Sequence, residues 1–287
     1  MEEKFIFPFP HFDESELKNY KNDLIQIPTG RKNKENIEEK IPCLFEKCPN
    51  SNNLLILFHC NGLDIFSSNY KFGEISVFDY FKDLKMNLLI PEYPGYSIYK
   101  TSQPSSKKCL ENSLIIYDFC LKNIKNISEK KIFIFGRSLG TGPAIYLASQ
   151  RKPAGLFLLS PYTTFAAVGK NFHEKDFYNK LTKHFRSIDF IDKVECPIFF
   201  CHGKNDKLIY FKESIELFEK CDKNNKKDIK IIDNMGHNDI YYFLDEISEF
   251  GKIFVKKFSL FSFSKNLVEN SLELDKKFYY FNDNNNN

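Results

Sequence analysis

A serine flanked by glycines is the first feature of the sequence that could do chemistry. Ser138 lies in Gly136-Arg-Ser-Leu-Gly140, between the apolar run Lys131 to Phe135 and a segment with helical periodicity. This pattern is typical of a nucleophile elbow, in which a serine in a strained turn projects its hydroxyl. Glycines on both sides let the strand and the helix approach closely, because they carry no Cβ. We predict a nucleophilic serine; the alternative is a glycine-rich turn whose serine caps a helix.

A serine hydroxyl needs a base that removes its proton, and that base needs a carboxylate that fixes its tautomer. In hydrolases with such an elbow the chain order is Ser, Asp or Glu, His. His237 follows the apolar pair Ile231-Ile232 and precedes the last amphipathic segment, and Asp206 follows Phe199-Phe-Cys-His-Gly. We therefore predict that Ser138, Asp206 and His237 form a catalytic triad.

Other histidines and acids compete for these roles. The five remaining histidines lie at strand ends or in connecting segments, where packed or solvated roles are the default: His11, His59, His173, His184 and His202. Asp233 and Asp239 are close to His237 in sequence, but an orienting carboxylate normally arrives from a different loop. We therefore favour Asp206 over both.

The tetrahedral intermediate of such a reaction also needs two backbone N–H donors. One comes from the residue after the nucleophile and one from a loop after an earlier strand. Leu139 supplies the first. For the second, the segment His59-Cys-Asn-Gly62 follows an apolar run; Asn61 is the favoured donor and Gly62 the alternative. The same segment could also be an ordinary tight turn between a strand and a helix.

Alternating elements must position these residues. Short apolar runs closed by turn signals predict six buried strands: Leu54 to His59, Asn87 to Pro91, Lys131 to Phe135, Gly155 to Ser160, Pro197 to His202 and Asp228 to Ile232. Apolar residues at spacings of three and four predict five helices: Glu74 to Leu84, Cys109 to Ile124, Leu139 to Arg151, Phe211 to Lys220 and Ile240 to Phe258. The alternation predicts an α/β fold with a mostly parallel sheet covered on both faces.

The length of 287 residues is consistent with one large α/β domain, which we place at residues 21–260. Residues 1–20 are predicted to form an extended arm, because the prolines in this segment disfavour a helix. The aromatic residues of the arm either pack on the domain or contact a membrane. Asn33 to Lys40 is predicted to be a charged hairpin tip or loop. Residues 261–287 are predicted to be a C-terminal extension that ends in a disordered, Asn-rich tail.

Composition and charge exclude several classes of protein. Only four of the 41 cationic residues are arginines, and the lysines alternate with 38 acids, which argues against a nucleic-acid-binding protein. The eight cysteines contain no CxxC motif and no zinc-ligand spacing, so we predict that they are reduced thiols. The alternative for Cys43 and Cys48 is that they form a pair at the surface or are lipidation sites. The chain has no long uncharged apolar run and no secretion signal at its start, so we expect a cytoplasmic protein, free or peripheral to a membrane.

The quoted motifs resemble those of the α/β-hydrolase superfamily. The resemblance rests on the elbow, on the segments that begin at His59 and Glu92, and on Cys196-Pro-Ile-Phe-Phe-Cys-His-Gly-Lys-Asn-Asp. Gly236-His-Asn-Asp-Ile and Phe185-Arg-Ser-Ile-Asp are similar to the subgroup of α/β-hydrolase-domain-17 proteins. The likeness spans about residues 5 to 258 and implies an α/β-hydrolase fold with a short cap.

Members of that subgroup are thioesterases that remove palmitoyl groups from cysteines of membrane-associated proteins, and the resemblance implies this activity here. It also implies that Ser138 is the nucleophile, Asp206 the acid, His237 the base, and Asn61 with Leu139 the oxyanion hole. The sequence departs from the pattern at Cys60, where a glycine is usual, and at Glu92, where an aspartate is usual. It also lacks the amino-terminal cysteine cluster of the animal proteins.

The segment of about residues 161–195 has room for a short cap of one or two helices. A short cap leaves an open cleft, which suits an acyl chain presented on a larger molecule. The segment carries aromatic residues that either line an acyl groove or fill the core: Phe165, Phe172, Phe177, Tyr178 and Phe185.

We therefore expect a serine hydrolase that acts on fatty-acyl thioesters or esters and needs neither metal nor organic cofactor. Its expected partner is an acylated protein or a lipid-like ester, with peripheral contact to a membrane. Two alternatives are a general carboxylesterase, lipase or peptidase-like hydrolase, and a binding module that has the same fold without turnover.

Overall fold

An eight-stranded sheet forms the centre of this computed structural model. The structure describes residues 3, 6–8, 14–66, 71–72, 75–76, 86–169, 179–221, 223–258, 260 and 271–281. The strands of the sheet are, in chain order, β1 (Leu24–Lys32), β2 (Glu38–Glu46), β3 (Leu54–Phe58), β4 (Asn87–Pro91), β5 (Ile132–Arg137), β6 (Gly155–Leu159), β7 (Ile198–Gly203) and β8 (Lys227–Ile232). Their order in space is β1-β2-β4-β3-β5-β6-β7-β8.

The sheet is parallel from β4 to β8. The strands β4 and β3, β3 and β5, β5 and β6, β6 and β7, and β7 and β8 pair in parallel, whereas β2 pairs antiparallel with both β1 and β4. The carboxyl ends of β3, β5, β7 and β8 therefore meet at one edge. Loops that leave this edge can bring side chains together from distant parts of the sequence.

Helices cover both faces of the sheet. The α-helices that lie wholly within the described residues are α1 (Ser106–Asn123), α2 (Thr141–Gln150), α3 (Lys212–Lys220) and α4 (Leu244–Lys257). Shorter 3-10 helices are Glu14–Tyr20, Glu129–Lys131, Ser138–Gly140, Phe165–Gly169, Ser187–Asp189, Ile191–Lys193, Ile240–Phe243 and Lys276–Phe278. None of the helices in these described ranges is both long and apolar enough to cross a bilayer.

Side chains of each central strand divide between two apolar cores. In β5, Ile132 and Ile134 pack in the core that includes residues of α1, α2 and α3, whereas Phe133 and Phe135 pack in the core that includes Phe254 of α4. Successive side chains of a strand point to opposite faces, so an uninterrupted apolar run is what a doubly covered strand requires.

The predicted α/β class is confirmed, and all six predicted strands are present, with ends that differ from the prediction by at most two residues. The hairpin of β1 and β2 was not predicted as strands; its tip is closed by the Asn33 amide, which donates to the Ile37 carbonyl at 2.8 Å. Most of the predicted helix Glu74 to Leu84 lies outside the described residues. Within it, Ile75–Ser76 is instead a short strand, paired antiparallel with Lys71–Phe72.

The described part of the amino-terminal arm is helical rather than extended. Glu14–Tyr20 is a 3-10 helix, and the Phe7 amide donates to the Glu3 carbonyl at 3.0 Å, as in a helical turn. Pro8 does not prevent this helical turn, because it comes after the turn. A proline restricts the backbone conformation of the residue directly before it more than that of residues further upstream. Ile6 and Phe7 are buried on the body.

Only part of the predicted cap is described, because residues 170–178 lie outside the described ranges. Phe165 and Phe185 are buried and pack in the core, which supports core filling for these two residues. Phe172, Phe177 and Tyr178 lie outside the described residues, as does the predicted disordered tail at residues 283–287.

Candidate active site

Ser138 occupies a sharp turn between β5 and α2. Its φ is 51°, in the left-handed region that side chains other than glycine rarely adopt. A Cβ on Gly136 would lie 2.5 Å from the Gly140 carbonyl oxygen, and a Cβ on Gly140 would overlap the Phe58 carbonyl oxygen. The two glycines thus allow α2 to start against β3 and β5, so the serine is held in its strained conformation.

The structure brings Ser138, His237 and Asp206 together at the carboxyl edge of the sheet. His237 Nε2 lies 3.0 Å from Ser138 Oγ, and His237 Nδ1 lies 2.7 Å from Asp206 Oδ2. An ionised carboxylate can only accept, so Nδ1 carries the proton and Nε2 is free to accept the serine proton. The imidazole side chain is 9% exposed, so the pair is largely shielded from water.

Asp206 is buried, and both oxygens of its carboxylate accept hydrogen bonds. Oδ1 accepts from the amides of Leu208 at 2.9 Å and Ile209 at 2.8 Å. Burial alone would raise the pKa of Asp206, but hydrogen bonds from His202 and His237, the charge of His237 and the Ile209 amide hold it well below its usual range. Asp206 is therefore an anion at every pH at which the protein would work.

The competing acids do not contact His237. Asp233 is an exposed residue whose carboxylate pairs with Lys204 at 2.8 Å, and Asp239 accepts from the Gly236 amide at 2.7 Å within its own turn. Asp239 thus stabilises the loop that carries His237.

His202, predicted from the sequence to be a packing residue, contacts the acid directly. This fully buried imidazole places Nε2 2.9 Å from the Ile209 carbonyl and 3.2 Å from Asp206 Oδ2. Because the carbonyl can only accept, Nε2 carries the proton and Nδ1 accepts from Ser214 Oγ at 2.5 Å. A histidine immediately before the glycine of β7 was the sequence signal for this contact.

His59 and Glu92 are also buried beside the site. His59 Nε2 lies 3.3 Å from Glu92 Oε1, and Glu92 accepts from the Tyr93 amide at 2.9 Å. The glutamate therefore organises the turn after β4, a structural role. Of the other histidines, His184 lies 2.6 Å from Ser106 Oγ, while His11 and His173 lie outside the described residues.

Arg137, the residue before the nucleophile, joins two loops of the site. Its guanidinium donates to the His237 carbonyl at 3.1 Å and to Cys60 Sγ at 3.6 Å. Burial raises the pKa of the Cys60 thiol although Arg137 opposes the shift, so Cys60 stays protonated and does not compete as a nucleophile.

The two predicted oxyanion donors follow β5 and β3, whose carboxyl ends lie at the same edge of the sheet. Leu139 follows Ser138, and its carbonyl accepts from the buried Tyr162 hydroxyl at 3.0 Å, which holds Leu139 in place. Asn61 follows β3, and Gly62 has a φ of 74°. The Asn61 side chain forms hydrogen bonds with Ile6, Tyr96 and Gly62. Its backbone N–H is therefore the group that would serve as the oxyanion donor.

The described residues contain no group of three or more His, Cys, Asp or Glu side chains that could hold a metal ion. The eight cysteines are all free thiols, six of them buried. The hydrogen-bonded side chains of Ser138, His237 and Asp206 can carry out proton transfer and nucleophilic attack.

Comparison with known proteins confirms the resemblance. The chain is 28% identical to α/β hydrolase domain-containing protein 17B of Xenopus tropicalis over 204 residues, which span 70% of this chain and 66% of the relative. It is 27% identical to the human protein of the same name over 221 residues, 76% of this chain and 71% of the relative. No protein-family model matches the chain.

Among solved structures, an esterase of Pyrococcus furiosus superposes with a TM-score of 0.63 at 16% identity, over 88% of this chain and 97% of the esterase. This similarity shows that the protein has the α/β-hydrolase fold. Together the relatives and the structural neighbours support a hydrolase.

Proposed function

We propose that this protein is a serine hydrolase that works through an acyl-enzyme. The observation that carries the proposal is the continuous hydrogen-bonded chain from Ser138 through His237 to Asp206, with 3.0 Å and 2.7 Å between the bonded atoms. The left-handed φ of Ser138 supports the same role, because strain of this kind persists where function requires it.

In the proposed reaction, His237 Nε2 takes the proton of Ser138 as Oγ attacks the acyl carbonyl. The negative charge that develops on the carbonyl oxygen is bound by the backbone N–H groups of Leu139 and Asn61. The intermediate collapses as the thiol or alcohol leaves with the proton from His237. Water, deprotonated by the same nitrogen, then attacks the acyl carbonyl; the bond to Ser138 Oγ breaks, Oγ takes the proton back from His237, and the carboxylic acid is released.

The proposed substrates are fatty-acyl thioesters or esters, with removal of palmitate from proteins as the specific case. The similarity to the domain-17 proteins supports this class. Three of the five exposed large apolar side chains of the described residues follow Asp206 or His237 closely in sequence: Leu208, Tyr210 and Tyr242. These three exposed side chains, which we call the apolar rim, favour a substrate presented at a lipid surface.

A general carboxylesterase is the second candidate, favoured by the similarity in fold to an esterase. A preference for aminoacyl amides would instead identify a peptidase. Rates on acyl thioesters of increasing chain length, on short esters and on aminoacyl amides separate the three. We expect the rate constant kcat/KM to rise with acyl-chain length.

Labelling with a fluorophosphonate probe tests the proposal itself. We expect the wild-type protein to be labelled and the Ser138→Ala variant to be unlabelled, with Ser149→Ala, a serine on α2 outside the site, labelled like wild type. A folded wild-type protein without labelling would favour a binding module.

A further inference from the structure

The Asn61 side chain is held from two sides. Its Nδ2 donates to the Ile6 carbonyl at 2.8 Å, and its Oδ1 accepts from the Tyr96 hydroxyl at 2.8 Å and from the Gly62 amide at 3.1 Å. Burial raises the pKa of Tyr96 well above its usual range, so its hydroxyl remains a donor at any working pH. The orientation of Asn61 therefore depends on the amino-terminal arm and on the turn after β4.

Phe7 fixes the arm against the same turn. This ring is fully buried, and its centroid lies 6.1 Å from that of Tyr96, 6.5 Å from that of Tyr93 and 6.1 Å from that of Phe185 in the cap segment. Edge-to-face pairs of this kind contribute energy beyond the burial of area. The Tyr93 hydroxyl in turn donates to the carbonyl of His59 at 2.7 Å, in the loop that carries Asn61.

A second contact holds the start of the arm. The Glu3 carboxylate accepts from the Ser106 amide at 3.0 Å and from the Ser106 hydroxyl at 3.2 Å, at the first turn of α1. An anion at a helix N-terminus is favourable because the first amides of a helix have no partner within it. Glu3 and Phe7 thus hold the Ile6 carbonyl between them, facing Asn61.

We propose that the amino-terminal arm, represented by Glu3 and residues 6–8, is a positioning element of the oxyanion hole. The inference rests on the proposed function, because it assigns the arm a role in the same site. When the arm leaves its position, Asn61 Nδ2 loses the Ile6 carbonyl as its acceptor, and the rings of Tyr93 and Tyr96 lose their contact with Phe7. The Asn61 backbone N–H then no longer points steadily at the developing oxyanion.

The size and type of the effect follow from this role. Loss of one oxyanion donor lowers kcat by roughly 10² to 10³. Release of the arm misaligns the donor without removing it, so we expect a loss of about 10-fold in kcat. KM should stay within about twofold, because the donors act on the transition state rather than on the bound substrate. A modification or ligand that lifts Phe7 from its position would lower turnover in the same way.

The mildest test removes one hydroxyl. Tyr96→Phe deletes the donor to Asn61 and preserves the ring, while Tyr117→Phe is the matched control, since the buried Tyr117 hydroxyl has no hydrogen-bond partner among the described residues. We expect kcat to fall several-fold in Tyr96→Phe and to be unchanged in Tyr117→Phe. Affinity for a trifluoromethyl ketone, which forms a charged tetrahedral adduct, should fall in parallel with kcat.

The arm itself is tested with Phe7→Leu, with Phe254→Leu as control for the loss of an equally buried ring on α4. We expect only Phe7→Leu to lower kcat and to speed hydrogen exchange of the amides in residues 59–66. Unchanged kcat and unchanged exchange in a folded Phe7→Leu variant would overturn the proposal. If the wild-type protein is neither active nor labelled by fluorophosphonate, the proposed function is wrong. Hydrogen exchange of residues 59–66 in the Phe7→Leu variant still shows in that case whether the arm positions this loop.

Discussion

At the scale of single residues, Asp206 decides which nitrogen of His237 is free. The carboxylate meets Nδ1 at 2.7 Å, and Nε2 faces Ser138 at 3.0 Å. The residue types and their chain order suggested these three side chains. The support given to Asp206 by His202, Leu208 and Ile209 was not predictable, because it depends on how the loop after β7 folds back on its own strand.

Asp206→Asn tests this tautomer. The amide can donate to Nδ1 and so stabilise the imidazole with its proton on Nε2, where it cannot act as a base. We expect kcat to fall by roughly 10⁴ while the fold is preserved. Asp233→Asn, which breaks only a surface pair with Lys204, should have normal activity. Normal activity in Asp206→Asn would show that another acid orients His237.

The depressed pKa of Asp206 also predicts a pH dependence of stability. Its pKa in the folded protein lies below the value of about 3.9 expected for the unfolded chain. This carboxylate therefore contributes stability above about pH 4, and the contribution is lost as the pH falls toward the folded pKa. Thermal melts between about pH 5 and pH 2 should show a steeper fall of Tm in wild type than in Asp206→Asn. The same dependence of Tm on pH in both proteins would contradict the lowered pKa of Asp206.

At the scale of elements, the turn from β5 to α2 needs glycine where the chain passes close to β3. The sequence pattern predicted this turn because GxSxG between a strand and a helix is a local signal. Asn33 to Lys40 was predicted to be a hairpin tip or loop, but the strands β1 and β2 on either side of the tip were missed because they carry charge: Arg31 pairs with Glu39 across the hairpin at 3.1 Å. In sequence these residues indicate a loop, and only the cross-strand pairing accommodates them in a sheet.

Gly140→Ala tests the close approach at the elbow. The added Cβ would overlap the backbone of Phe58, so the turn must shift. We expect a lower Tm and loss of fluorophosphonate labelling. Gly251→Ala on α4 is the control, because a Cβ there meets nothing within 4 Å; it should raise stability by about 0.5–1 kcal/mol. A labelled Gly140→Ala variant with wild-type Tm would contradict this account of the elbow.

At the scale of the whole molecule, the fold was predictable because apolar runs alternate with amphipathic segments along most of the chain. The packing of the arm was not, since the contact of Ile6 with Asn61 joins residues that share no periodic pattern. In the apolar rim, Leu208 is 43% and Tyr242 82% exposed, and Lys207 and Lys212, close to Leu208 in sequence, are exposed as well.

This rim predicts contact with anionic lipid. Leu208→Asp combined with Tyr242→Asp should lower binding to vesicles that contain phosphatidylserine, because the substitutions remove apolar contacts and add negative charge. Hydrolysis of a vesicle-bound acyl peptide should fall several-fold, whereas hydrolysis of a soluble short-chain thioester should be unchanged. Ile253→Asp, which alters an exposed apolar residue on α4, is the control. Equal losses on both substrates would argue against a lipid-facing rim.

Trapping the acyl-enzyme would show directly whether Ser138 is the nucleophile. Wild-type protein mixed with a palmitoyl thioester, quenched in acid and digested, should yield a peptide containing Ser138 whose mass has increased by one palmitoyl group. The adduct should disappear as the thioester is consumed, and Ser138→Ala should form none. Release of the acid with no adduct on Ser138, or an adduct on a cysteine such as Cys60, would contradict the account.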